Sequence, residues 1–236
     1  MRGLKISRKS LPEGLVAIPI RTALIAPGQD LVQLVGDAVR GIAAPGDVLA
    51  ISETAVAIAQ GAFIPAEAIR PSWLAFVLAR RAHPLATVNQ PESMQLVIDD
   101  VGIPRVLAAV AAQLFGLLVG RRGRFYEVLG EAITAIDGYT GTMPPYERAI
   151  VLSPREPDAV AARIANALRC GCAIVDVNDL QRAKILGASP GVARDAVAQA
   201  LLDNPHGNGD EQTPIVVLKW RGIGVHPLHE RELTAC

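Results

Sequence analysis

Asp176, Asn178 and Asp179 fall within the segment VDVND, at the end of an apolar run that spans residues 172–177. A further acidic residue, Asp137, closes the shorter run 132–136 and is followed by Gly138. Carboxylates at strand ends suit Mg²⁺ or Mn²⁺. Such hard cations take a few carboxylates and complete their shell with waters and phosphate oxygens. Asp and Asn also end strands by Asx-turn hydrogen bonding, so each position carries both readings.

Three other places join a strand end to polar loop residues, where sites tend to lie. Arg21 and Thr22 precede a Pro-Gly turn, and Arg21 could hold a phosphate or carboxylate bidentately or simply end a strand at the surface. Ser52, Glu53 and Thr54 join a buried strand to a helix, where backbone amides favour anions and where ordinary capping also selects Ser and Thr. The third place is HGNGDEQT, residues 206–213. Its glycines free the backbone to approach a ligand, and Asn208, Asp210, Glu211 and Gln212 supply oxygens; the same composition also makes a solvated loop. HPLHE at 226–230 lacks a regular metal-ligand spacing. The basic turns Arg80-Arg81 and Arg121-Arg122-Gly123-Arg124 read as solvated, although the second could grip an anionic substrate.

The chain has 236 residues, half of them hydrophobic and only 4% aromatic. A sizeable core is therefore expected, built from Ala, Val, Leu and Ile. The 23 basic and 23 acidic residues cancel, which leaves no broad electrostatic footprint for nucleic acid or an anionic membrane. Cys170, Cys172 and Cys236 are odd in number and make no disulfide framework; the first two read as small core residues. The basic N-terminal segment has no apolar stretch of signal-peptide length. The longest apolar region, residues 106–119, is too short to span a bilayer. A cytoplasmic protein is expected.

These sites need strands and helices to hold them. The pattern predicts strands over 15–20, 48–52, 95–100, 125–129, 132–136, 172–177 and 215–220. Helices are expected over 31–40 with Asp30 as N-cap, 54–60, 65–83, 157–169 capped by Asp158, and 191–202. Residues 106–118 read as a helix or as an apolar strand pair, and the tail after Gly224 as peripheral. Strands and helices interleave without a clean βαβ period, so the expected class is α+β, or mixed α/β, over a doubly wound sheet.

The motifs occur in a telling order. IPIRTALIAPGQD and GDVLAISETAVAIAQG open the chain, followed by Thr134-Ala135-Ile136-Asp137, SPREPDAVAARI, IVDVNDL, ILGASPGV and GNGDEQTPIVVL. Together they resemble, over residues 15–222, the coenzyme F420-0:L-glutamate ligase (F420-0 gamma-glutamyl ligase) family. The resemblance implies that family's fold of mixed sheets with flanking helices and an intertwined homodimer. It implies a first subdomain of 15–84 with 205–236, carrying much of the nucleotide site, and a second of 85–204 with the acidic metal site.

The implied activity is GTP- and metal-dependent amide ligation, adding L-glutamate through a gamma-glutamyl linkage to a carboxylate of F420-0 or another small acceptor. GTP or ATP would be co-substrate and Mg²⁺ or Mn²⁺ the cofactor, with no nucleic-acid or membrane partner. Carried over by position, Asp137, Asp179 and Arg21 would be catalytic. Asp137, Asp176, Asp179 and Glu211 would hold metal. Arg21, Thr22, Ser52, Glu53, Gly207, Asn208, Gly209, Gln212 and Thr213 would line the nucleotide site. The sequence departs from the family where Ile58 replaces a lysine, where Leu180 replaces a threonine, and in a shorter segment before the Gly-rich loop. A second reading follows: a non-catalytic ligand-binding or regulatory protein that keeps the fold.

Overall fold

The computed structural model describes residues 14–82, 87–121, 123–130, 136–139, 145–178, 182–207, 211–221 and 228–229. The chain divides into two compact units, Met1–Gly61 with Pro154–Cys236, and Ala62–Ser153. The class is mixed α/β, as expected. Among the described residues there are eight α-helices, a five-stranded mixed sheet and a three-stranded sheet.

The first unit contains β1 (Leu15–Ile20), α1 (Leu31–Val39), β2 (Val48–Ser52), α2 (Glu53–Ala59), α7 (Pro157–Leu168), β6 (Gly171–Asn178), β7 (Arg182–Ala188), α8 (Arg194–Ala200) and β8 (Ile215–Trp220). Its sheet runs β1-β8-β2-β6-β7. β8 is antiparallel to both β1 and β2, β2 is parallel to β6, and β6 is antiparallel to β7. Alternation along the strands sends Leu15, Ala17, Val48, Ala50, Ala173, Val175, Val216 and Leu218 to one face. There they pack with Val197, Ala200 and Leu201 from and just beyond α8, and with Leu228. The opposite phase, Leu49, Ile51, Cys172 and Ile174, is also buried; α2 and α7 pack against β6. Among the described residues this core is thus mainly aliphatic, with Cys172 buried in it and Trp220 packed at its margin. Asp30 caps α1 as expected, accepting from the amides of Val32 at 2.8 Å and Gln33 at 3.4 Å.

Two expectations for this unit are overturned. Asp158 does not cap α7: the residue at the N-cap is Glu156, at φ 50°, and makes no side-chain cap bond. Asp158 instead accepts the amide hydrogen of Ala188 at 2.8 Å and pairs with Arg194. The tail is not peripheral, because Leu228 is fully buried and its carbonyl accepts from Ala193 N at 2.8 Å. His229 Nε2 donates to Gly46 O at 2.8 Å.

The second unit contains β3 (Phe63–Pro65), α3 (Trp73–Ala79), α4 (Pro91–Val101), α5 (Ile103–Leu118), α6 (Arg124–Leu129), β4 (Ile136–Tyr139) and β5 (Ala149–Leu152). Its sheet runs β3-β5-β4, all antiparallel. The expected strand at 95–100 is the second half of α4. Pro91 occupies the first turn, and Met94, Val97 and Ile98 recur at helical spacing in the core with Val106, Ala109 and Leu129. The expected strand at 125–129 is α6, entered from Gly123 at φ 87° and ended by Gly130 at φ 53°. The expected helix at 65–83 keeps only α3, since Pro71 breaks it and Ser72 caps the remainder through the Ala75 amide. Residues 106–118 are helical, within α5. Of the strand expected at 132–136, residues 132–135 lie outside the described residues, and Ile136 begins β4. No single helix among the described residues is long and apolar enough to cross a membrane.

Candidate functional site: the C-terminal edge of the first-unit sheet

Register places several of the candidate residues on one edge. β1 ends at Ile20, opposite Ile215, so Arg21 and Thr22 lie beside Gln212, Thr213 and Pro214 at the entry to β8. Thr22 N donates to Gln212 O at 3.0 Å. Ile51 also faces Ile215, and Ser52 N donates to Pro214 O at 2.8 Å. Ser52 in turn pairs with Val175 of β6, whose last residues, Asp176 to Asn178, run past it. Arg21, Gln212, Ser52 and Asp176 therefore sit at four neighbouring strand ends, across roughly 14 Å at the usual interstrand spacing.

The side chains differ in how they are engaged. Arg21 is exposed and has no ion-pair partner among the described residues. Thr22 Oγ1 donates to its neighbour's carbonyl, Ala23 O, at 2.8 Å. Ser52 makes no side-chain cap bond to α2, and Glu53 begins that helix. Asp176 reaches solvent, yet the surrounding protein raises its carboxyl pKa above the ordinary value, opposed by the Lys184 ammonium across the β6–β7 pair. Thr213 donates its hydroxyl to His206 O. Glu211 lays its carboxylate against Gly207, where an added Cβ would stand 2.8 Å from Oε2.

Asp137 belongs to the other unit. Ile136 pairs with Leu152 and Gly138 with Val151, so Asp137 is the extra residue of a β-bulge. Asp179, Asn208 and Gly209 lie outside the described residues. Among the described residues, no group of three or more His, Cys, Asp or Glu side chains converges as a metal site would require.

Chemistry that the sequence did not announce also appears. His206 is buried, and Nδ1 lies 3.0 Å from Thr213 O. Burial pushes its pKa down to about 4, against the raising effect of that hydrogen bond. At the opposite end of the same sheet, a cleft of about 430 Å³ is lined by Asp158, Ala188, Ser189, Gly191 and Arg194. A burial-based signal for His206 was absent from the sequence, because the residue stands in a polar loop. Cys170 and Cys172 are core residues, as expected. Cys172 is fully buried, and desolvation with the neighbouring Cys170 raises its thiol pKa.

The model of one family, F420-0:gamma-glutamyl ligase, matches residues 19–193. The chain belongs to this family. No curated protein matches it. The family match covers Arg21, Thr22, Ser52, Glu53, Asp137, Asp176 and Asp179. It ends before His206 and β8, although β8 sits between β1 and β2 in the sheet of this ligase-family chain. At the position where the resemblance expects a lysine, Ile58 is buried on α2.

Proposed function

We propose that this gamma-glutamyl ligase family member is a GTP- or ATP-dependent amide ligase, with L-glutamate as amine donor and F420-0 or another small carboxylate as acceptor. The observation that carries the reading is the single sheet edge shared by Arg21, Thr22, Ser52, Glu53, Asp176 and the loop ending at Gln212. Residues with side-chain oxygens, and the Arg21 guanidinium with no ion-pair partner among the described residues, suit a polyphosphate. In the proposed reaction the γ-phosphoryl group passes to the acceptor carboxylate, leaving the nucleoside diphosphate. The glutamate amine then attacks the acyl carbon, phosphate departs and the amine loses a proton.

The chain's part is to bind and orient. Arg21 neutralises phosphate or carboxylate charge. Thr22 and Ser52 fix the loop through backbone bonds, so that its groups are held before the ligand arrives. By type, the oxygen donors of this edge suit Mg²⁺ or Mn²⁺, while the buried thiol of Cys172 is at the far end of β6. Asp176 would hold the cation, with Asp179 and Glu211 as further ligands that the resemblance implies; Asp137, which the resemblance also implies, belongs to the other unit. Such a cation supplies charge neutralisation on the transferring phosphoryl group.

A homodimer belongs to the same reading. Ile103, Leu107, Leu114 and Leu118 of α5 are each more than half exposed and form one stripe along the helix.

Thermal unfolding with GTP and with ATP, each with and without Mn²⁺ or Mg²⁺, tests the reading. A ligand at roughly 100 times its Kd stabilises by about 2.7 kcal/mol. A shift that needs nucleotide and metal together, followed by glutamate-dependent phosphate release with an acceptor, is the expected result. No shift with any nucleotide sinks nucleotide-driven ligation. A second reading, a binding protein on the ligase fold, draws on the buried Ile58 in place of a lysine. Nucleotide binding without turnover on any carboxylate acceptor would favour it.

A further inference from the structure

Residues 206 and 213 bracket the Gly-rich loop, and two reciprocal bonds close it. His206 Nδ1 faces Thr213 O at 3.0 Å, and Thr213 Oγ1 donates to His206 O. A carbonyl can only accept, so Nδ1 carries the hydrogen and Nε2 is the bare nitrogen. Nε2 is buried and meets no hydrogen-bond partner among the described residues. The imidazole is therefore held by one nitrogen, and its role is set by that bond.

The bracketed segment is conformationally demanding where it enters β8. Gln212 has φ 54°, a left-handed value that its side chain disfavours. Such conformations persist where surrounding bonds over-determine them. For Gln212 those bonds are visible: its carbonyl accepts from Thr22 N, and the next residue is clasped to His206. One residue further, Pro214 O accepts from Ser52 N. The clasp thus stands behind both backbone bonds that tie the loop to the strand ends.

We propose that His206 is a positioning residue: with Thr213 it forms a clasp that holds Gln212 in its left-handed conformation and so sets the Gln212 and Pro214 carbonyls that tie the entry of β8 to the strand ends of the proposed nucleotide site. His206 itself touches neither nucleotide nor acceptor. The role in ligand binding rests on the nucleotide reading given above, whereas the clasp itself does not.

The experiment compares His206→Ala, His206→Asn, His206→Gln and Thr213→Val with the unaltered chain, in two measurements. The first needs no ligand: hydrogen exchange at the Thr22 amide. Loss of one ordinary hydrogen bond should speed exchange about tenfold in His206→Ala and Thr213→Val. His206→Asn should restore protection, because its amide N–H reaches where Nδ1–H stood; His206→Gln, whose amide reaches where Nε2 stood, should not. The second measurement is steady-state kinetics. KM for the nucleotide should rise about tenfold in His206→Ala and recover in His206→Asn, while kcat stays within about threefold. Unchanged Thr22 exchange in His206→Ala overturns the clasp. A kcat lost equally in His206→Ala and His206→Asn overturns the positioning role, since it would make Nε2 the working atom. If the unaltered chain binds no nucleotide, the ligase reading fails, and Thr22 exchange still decides the clasp.

Discussion

Gly187 of β7 lies so close to Pro157 at the start of α7 that a Cβ built on it would stand 2.3 Å from the Pro157 carbonyl carbon and 2.4 Å from Asp158 N. Those are backbone atoms, so nothing can swing aside. Glycine here sets the distance between strand and helix, and the Asp158 bond to Ala188 N spans the same contact. Gly187→Ala is expected to destabilise by about 3 kcal/mol. At roughly 2–4 °C per kcal/mol for a chain of this size, calorimetry should record a clearly lower Tm. Gly191→Ala has open space but φ 80° and should cost only about 1 kcal/mol.

Acid should weaken the fold through His206. Its pKa is about 4 in the folded chain against an ordinary 6.5. The folded state therefore resists a proton that the unfolded chain accepts. The stability tied to this group is complete above pH 6.5 and is lost as pH falls from there towards 4, by on the order of 3 kcal/mol in total. The ring's Nδ1 faces the Thr213 carbonyl, whose hydrogen bond opposes the shift without cancelling it. Urea unfolding at a series of pH values should show this slope, and His206→Asn should flatten it.

Thiol chemistry should be silent at two positions. Cys170 and Cys172 are buried, and desolvation raises both thiols above their usual pKa. Since the thiolate is the reactive form, maleimide labelling followed by peptide mapping should leave both unmodified until denaturant is added. Rapid native labelling of Cys172 would contradict the burial.

Asp176 offers a test of the proposed metal site that spares the fold, because its side chain reaches solvent. Asp176→Asn should leave Tm without ligand within about 1 °C, as surface changes usually shift stability little. The Mn²⁺-dependent part of the nucleotide-induced shift should fall by at least half. Asp137→Ala tests the bulge residue in the same assay.

The α5 stripe bears on the proposed dimer. Leu107→Glu with Leu114→Glu alters two exposed side chains, so the monomer fold should survive. Sedimentation velocity should then report a monomer where the unaltered chain reports a dimer. An unchanged mass for the double variant would remove α5 from the interface.

Much of the first unit was legible because its signals are local. The Asp30 cap, the alternation of β1 and the apolar runs of β2, β6 and β8 each specify themselves within a few residues, and the ordered motifs pointed to the family. The second unit was read less well for an equally local reason. Residues 95–100 and 125–129 are short apolar runs whose period is ambiguous; Pro91 at the start of α4 and the glycines flanking α6 decided in favour of helix.

The site divides along the same line. Residue types at strand ends were fixed by the sequence, and so was the aliphatic make-up of the core. Tertiary pairing alone decided that Arg21, Ser52, Asp176 and Gln212 share an edge, because β8 enters between β1 and β2 from late in the chain. It alone moved Asp158 from cap to cross-link and buried Leu228 beneath the sheet. It also turned His206 from a loop residue into a clasp. Those outcomes rest on contacts between residues far apart in sequence, and local propensity and periodicity carry no term for them.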